Sequence, residues 1–250
     1  MNKLEITKCD DGSYSAFSSA YNEHYHSTKD GALNESLYKH IKPAFLLNAR
    51  KVHLNIVDIC FGLGFNTLAS LYYRDLYYPD TTLSIYSPEL DKNLIKSLKD
   101  FPYPEIFATY KSVIDSLIKY QKYEDRNTNI ELFIGDAREY IKTLSNIDIC
   151  YQDAFSPDVN EILWSREYFR DIANILNNDG VLTTYSIALR VRLGLYENGF
   201  NIYLNSSKLH RDSTVATLMA IDNFAPIDMP HKIACNPDIT SYKDNQPPVS

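Results

Sequence analysis

Residues 57–66 read Val57-Asp58-Ile59-Cys60-Phe61-Gly62-Leu63-Gly64-Phe65-Asn66. The apolar run from His53 to Ile59 predicts a short buried strand, and Asn66 onward has the pattern of a helix start. Two glycines one residue apart join them. A strand, a glycine turn and a helix in that order let backbone approach a ligand at the carboxyl end of a parallel strand. Open α/β sheets bind nucleotides at that place. Thr67 stands where G-x-G-x-x-G would put its third glycine, so the dinucleotide fingerprint is not met.

The segments that follow repeat the same unit. A helix over Asn66–Tyr78 stops at Pro79, and Thr82–Ser87 is a second strand closed by Pro88-Glu89-Leu90-Asp91. A carboxylate at that point accepts both protons of a ribose hydroxyl pair, which favours Glu89 as a nucleotide contact. Asp91 is better placed to cap a helix over Lys92–Lys99. Residues 104–123 show apolar positions at helical spacing and read as one packing helix. Ile130–Ile134 is a third strand ended by Gly135-Asp136-Ala137, where Asp136 can cap a helix over Ala137–Leu144. A fourth strand, Ile147–Gln152, delivers Asp153-Ala154-Phe155-Ser156-Pro157 beside the glycine turn. Ser165 caps the next helix, to about Asn177. Val181–Tyr185 is strand five, a helix spans Ile187–Asn198, and Phe200–Leu204 with Thr214–Ile221 forms a final antiparallel pair.

Upstream, alternation in Leu4–Thr7 and Tyr14–Phe17 predicts a small β-rich lead-in over residues 1–32. His24 and His26 could share a strand face, but no third metal ligand lies near them in sequence, so no metal is expected. Leu33, Leu37 and Ile41 mark a helix face, with Asp30 or Asn34 as cap and Pro43 as its end or kink. Residues 33–222 are expected to form the main domain. The proline-containing stretch 223–250 is expected to be a tail without a core of its own, partly disordered.

Composition sets the bounds. The chain has 250 residues, 44% hydrophobic and 23% charged, ordinary for a globular α/β protein. The polar start and the scattered Cys9, Cys60, Cys150 and Cys235 lead to a cytoplasmic protein with free thiols, no leader and no membrane span. A net charge of −7 argues against indiscriminate nucleic-acid binding.

Turns that bind S-adenosylmethionine (SAM) usually read acid-x-Gly-x-Gly-x-Gly. Here Asp58 is the acid, Gly62 and Gly64 are the last two glycines, and Cys60 takes the first one's place. Together VDICFGLGFN, YSPELD, GDAREYI, YQDAFSPDVNEILWS and TTYSIALRVRLGLYENGF resemble the methyltransferase half of MnmC, the tRNA 5-methylaminomethyl-2-thiouridine biosynthesis family. The match runs from about Tyr25, through HS-x3-GALNES, to about Arg211. It implies a Rossmann-like SAM-dependent methyltransferase with a mostly parallel seven-stranded sheet, helices on both faces and an antiparallel last strand. The implied reaction is methylation of the 5-aminomethyl group of a wobble uridine in tRNA, without the FAD-dependent oxidoreductase half of fused members.

The resemblance implies cofactor contacts from Asp58, Gly62, Gly64, Asn66, Glu89, Asp136 and Ala137, with Asp153 facing the target amine. Tyr25, His26, Ser27, Glu35, Phe155, Trp164, Arg192 and Arg211 are expected on the substrate side. Phosphate contacts are sought among Arg190, Arg192, Lys208 and Arg211, and upstream wobble-uridine modification enzymes are expected partners. SSKLHRDS departs from the family's glycine-containing segment before its Lys-Arg pair. Two other classes fit the same residues: an aminopropyltransferase-like enzyme acting on free polyamine, and a non-catalytic RNA-binding protein that would not bind SAM.

Overall fold

The computed structural model describes residues 4–207 and 210–244. The chain opens with a three-stranded antiparallel sheet of β1 (Glu5–Lys8), β2 (Tyr14–Ser18) and β3 (Glu23–His24). An irregular helix follows: α1 (Ala32–Glu35), a π-helical turn (Ser36–Ile41) and α2 (Lys42–Leu47). Neither Asp30 nor Asn34 caps it. Gly31 is the N-cap, and Ser13 Oγ and Asp11 Oδ2 accept the backbone N–H groups of Ala32 and Asn34 instead. Nor does Pro43 end it, because the proline sits in the first turn of α2, where a missing N–H costs little.

The glycine turn joins β4 (His53–Ile59) to α3 (Phe65–Tyr77), then come β5 (Thr82–Glu89) and α4 (Lys92–Ser97). The stretch expected as one helix over 104–123 divides into a 3-10 segment, Glu105–Tyr110, then α5 (Lys111–Tyr120) and β6 (Lys122–Glu124). The break falls at Gln121, whose φ is +56°. β7 (Thr128–Ile134), α6 (Ala137–Ile141), β8 (Ile147–Gln152), α7 (Arg166–Ile175), β9 (Leu176–Thr184) and α8 (Leu189–Tyr196) complete the alternation. β10 (Asn201–Ser207) and β11 (His210–Thr217) form the antiparallel pair, followed by β12 (Ala225–Pro226) and α9 (Met229–Ala234).

The main sheet has nine strands in the order β12-β10-β11-β9-β8-β4-β5-β7-β6. Its seven central strands match the expected Rossmann-like arrangement, and short strands β6 and β12 add an edge on each side. β4 is parallel to both β5 and β8, so the chain reverses direction around it and the carboxyl ends of the three strands face one crevice. Side-chain alternation divides the core between the two faces. Leu54 and Ile56 of β4 join the cluster under α3 and α5, whereas Val57 and Ile59 join Trp164, Phe169 and Ile172 on the other face. No helix among the described residues is long and apolar enough to cross a membrane.

The expected tail is a correction. From residue 223 the chain adds an edge strand and a helix, and Met229 and Tyr242 pack into the core on the side of α7 and α8. Arg190 covers the Tyr242 ring with its guanidinium 3.8 Å from the centroid, and Arg138 pairs with Asp244. Two anchors, Met229 and Tyr242, with the Arg138–Asp244 pair, fix a stretch rich in proline. Met229→Ala should therefore lower the unfolding free energy by about 2–4 kcal/mol, as for other buried methionines. The exposed Ile239→Ala should change it by less than about 0.5 kcal/mol, both measured by urea denaturation.

Candidate active site

One cavity of about 850 Å³ lies at the carboxyl ends of β4, β5, β7 and β8, large enough for a nucleotide and a second small group. The glycine turn forms part of its wall. Gly62 (φ +55°) and Gly64 (φ +78°) take left-handed conformations that suit glycine, and so does Cys60 (φ +65°), which has a Cβ to accommodate. Gly62 lines the cavity, and a Cβ there would meet the Tyr25 ring at 3.4 Å. Gly64 instead lies beside Phe61, whose ring an added Cβ would approach to 2.8 Å. It is a turn residue rather than part of the cavity wall.

Glu89, at the end of β5, turns its carboxylate back on this turn. Its Oε2 accepts the N–H of Gly62 at 2.9 Å and its Oε1 accepts that of Asp91 at 2.8 Å. Burial raises its pKa, against the pull of those two N–H groups. Asp91 caps α4 as expected, accepting from Asn93 and Leu94. Asp136 caps α6 through the N–H of Arg138, and both Asp136 and Ala137 line the cavity.

Asp153 enters from the end of β8, with its carboxylate 11% exposed. Asn66, in the first turn of α3, donates to its Oδ2 at 2.8 Å, and Nε2 of His40 stands 3.5 Å from its Oδ1. Burial would raise this carboxyl, but the His40 and His26 imidazoles and the Asn66 amide outweigh it and hold the pKa down at about 2. Asp58 has the opposite fate. It is buried behind Asn66 rather than on the cavity wall, where Thr67 Oγ1 donates at 2.8 Å and Asn66 Nδ2 at 3.3 Å. Burial pushes its pKa to about 7, and the nearby Asp153 charge adds to the effect.

The N-terminal sheet supplies the facing wall. Tyr21 stacks on Phe155 with centroids 4.4 Å apart, and Tyr25 lies 5.0 Å from the same ring. Glu23 accepts hydrogen bonds from both the N–H and the hydroxyl of Ser156, tying that wall to the loop that carries Asp153. His26 is buried, its pKa lowered by that burial, and its Nδ1 has no hydrogen-bond partner among the described residues. Further along the cavity wall, Lys39 bridges Asp30 at 2.8 Å and Glu35 at 2.7 Å, while Glu35 accepts the Ser27 N–H. Arg211 closes this ladder at the rim, donating to both oxygens of Asp30 and to Ser27 Oγ.

Two expected substrate residues stand elsewhere. Trp164 is fully buried core, and its Nε1 donates to the Phe155 carbonyl at 2.8 Å, so it braces the loop from below. Arg192 turns inward to Thr214 Oγ1 at 3.0 Å, and Arg190 is occupied by the Thr240 carbonyl and the Tyr242 ring. Lys208 lies outside the described residues. Sequence reading missed His40, Tyr21, Glu23, Lys39 and Tyr185. His40 alone carried a signal, since it falls three residues after Leu37 on the apolar face of its helix.

Comparison with known proteins adds what this chain is similar to. Residues 102–219 match the model of an S-adenosyl-L-methionine-dependent methyltransferase family. An uncharacterized protein of Methanocaldococcus jannaschii is 29% identical over 209 residues, covering 79% of this chain and 54% of that protein. The tRNA 5-methylaminomethyl-2-thiouridine biosynthesis bifunctional protein MnmC of Pseudoalteromonas atlantica is 25% identical over 78% of this chain and 29% of its own length. The chain thus spans about half, or less, of the curated relatives it matches. The crystal structure of MnmC2 from Aquifex aeolicus superposes with a TM-score of 0.86 at 29% identity, covering 99% of this chain and 82% of that one.

The Asp58 environment makes a test of its own. A carboxyl with a folded pKa near 7 and an unfolded pKa near 3.9 holds an extra proton in the native state between those values. Its contribution to stability is therefore lost as pH rises from about 4 to 7. Asp58→Asn keeps the shape and removes the titration. Across pH 5–8 the wild-type unfolding free energy should fall by about 2–3 kcal/mol relative to the variant. Parallel pH curves from denaturant titrations would show Asp58 to be ionised throughout.

Proposed function

From the homology of this chain to the methyltransferase half of MnmC, we propose that it methylates the 5-aminomethyl nitrogen of a wobble uridine in tRNA, in the cytoplasm, with SAM as methyl donor. The observation that carries this reading is Asp153, an ionised carboxylate next to the glycine turn and on the wall of the same cavity as Glu89 and Asp136. The wall suits the cofactor. Glu89 would take the ribose hydroxyls, Asp136 the adenine amino group, and the Gly62 backbone, free of a Cβ, would let the ligand approach. SAM supplies an activated methyl group on a sulfonium centre, a cation that this acidic cavity favours.

The chain's own work is to hold an amine. An alkylamine with a pKa near 10.4 arrives protonated at neutral pH and has no lone pair to give. The ionised Asp153 binds that ammonium and orients it. Storing the proton on a carboxyl of pKa about 2 would cost roughly 11 kcal/mol, from eight pKa units at 1.36 kcal/mol each. Asp153 therefore anchors the ammonium, and the proton it sheds goes to solvent water rather than staying on the carboxyl. Tyr21, Tyr25 and Phe155 form an aromatic wall on which a flipped base would stack. The wild-type chain should methylate tRNA bearing 5-aminomethyl-uridine; methylation of free polyamine alone would select the aminopropyltransferase-like class instead.

Two variants test the assignment. Glu89→Ala should weaken SAM binding by about 1.5–3 kcal/mol, the worth of charge-assisted hydrogen bonds, and unchanged affinity by calorimetry would remove Glu89 from the site. Asp153→Asn should leave folding and SAM affinity nearly unaltered while lowering turnover by about 10²–10⁴-fold. That deficit should shrink as pH rises toward the amine's pKa, since more substrate then arrives neutral. Loss of SAM affinity or of thermal stability in this variant would make Asp153 a structural residue.

A further inference from the structure

Asp153 is held from both sides, and one of the holders is an unexpected histidine. His40 is wholly buried, with its Nδ1 3.0 Å from Thr183 Oγ1 and its Nε2 3.5 Å from Asp153 Oδ1. Its ring meets Tyr151 edge-on at 5.8 Å. A threonine hydroxyl can give or take a hydrogen bond. If Thr183 gives, the neutral imidazole carries its proton on Nε2. If Thr183 takes, Nε2 must be protonated too, because a bare lone pair would face a carboxylate. In both cases Nε2 carries an N–H; it makes no hydrogen bond among the described residues, and Asp153 Oδ1 stands 3.5 Å away, within ion-pair range but outside hydrogen-bond geometry.

The backbone goes out of its way to place this ring. His40 sits in the π-helical turn Ser36–Ile41, and such turns are rare and concentrate at functional sites. A π turn pairs residue i with residue i+5, yet Pro43 has no N–H to offer the Tyr38 carbonyl. That carbonyl accepts from Asn205 Nδ2 at 2.9 Å instead, so a side chain of β10 stabilises the irregular turn.

We propose that His40 is a positioning residue of the methyl-transfer site, aiming Asp153 into the cavity and keeping it ionised through its Nε2 proton. Only the kinetic part of the test rests on the function proposed above. The titratable groups facing this pair are His26, Asp58, Cys60, Tyr151 and Tyr185, with burial keeping Tyr151 neutral as well. Burial keeps Cys60 and Tyr185 neutral, and Asp58 is protonated at acid pH, where the test is read.

His40→Phe keeps a buried ring without the N–H, and His40→Gln returns a donor. In the ligand-free protein, carbon NMR of the Asp153 carboxyl should show its midpoint rising by about one to two units in His40→Phe and falling back in His40→Gln. On tRNA bearing 5-aminomethyl-uridine, His40→Phe should lower kcat about 10–100-fold with KM little changed, and shift the acid limb of kcat/KM upward. An Asp153 midpoint equal to wild type in His40→Phe overturns the proposal, as does a fall in kcat with the acid limb in place. No turnover by the wild-type chain, with the NMR shift present, refutes the functional reading and leaves the role of His40 standing. Should His40→Phe not fold, Thr183→Val removes the hydroxyl that orients the imidazole, and an unmoved Asp153 midpoint there is equally fatal.

Discussion

Two carboxylates share one amide at the centre of this protein. Asn66 Nδ2 reaches both Asp153 and Asp58, and the two acids lie close enough that each feels the other's charge. Two like charges in so little water cannot both be cheap to hold. The fold settles the conflict by giving one of them the imidazoles. Asp153 has His40 and His26 beside it and stays ionised, while Asp58 has only neutral donors and is pushed to about 7. Environments that drive paired acids apart in this way mark out which group does the chemistry. Three elements build that asymmetry: α3 brings Asn66, the π turn brings His40, and the segment just after β3 brings His26.

The glycine turn has a second constraint, supplied by Glu89. A carboxylate that accepts two backbone N–H groups locks the end of β5 to the turn after β4. Glu89, proposed above to take a ribose, is therefore also a structural brace, and its position is fixed before any ligand arrives. Preorganisation of this kind spares the site the cost of ordering a loop on binding.

The parallel core was legible because each strand is an apolar run followed by a residue with a distinct job, Gly62, Glu89, Asp136 or Asp153. These signals are local, and the structure places all four on one cavity. What the sequence hid depends on contacts between distant segments. Trp164 and Phe155 adjoin one conspicuous motif, yet one is core and the other lines the cavity, because the 3-10 turn Glu161–Trp164 points the indole inward. Arg192 sits on a helix whose exposed face could not be told from pattern alone, and Thr214 draws it in. The C-terminal stretch read as polar and proline-rich, but its few anchors, Met229 and Tyr242, each find a prepared socket in the core. His40 was missed because a histidine on an apolar helix face is usually a packing residue.

The link between Glu23 and Ser156 has a consequence for how the protein is made. The two residues are 133 positions apart, so the wall that Glu23 carries leaves the ribosome well before the loop that carries Ser156. At synthesis rates of about 5–20 residues per second, that hairpin waits roughly 7–27 s for the loop after β8 before its hydrogen bonds have a partner. The sheet strands β4, β5 and β7 can associate in the meantime, but the cavity cannot close. Its facing wall is thus built early and docked late. A nascent chain stalled before the loop after β8 would carry the Tyr21 and Tyr25 rings exposed, a surface suited to chaperone capture rather than to RNA.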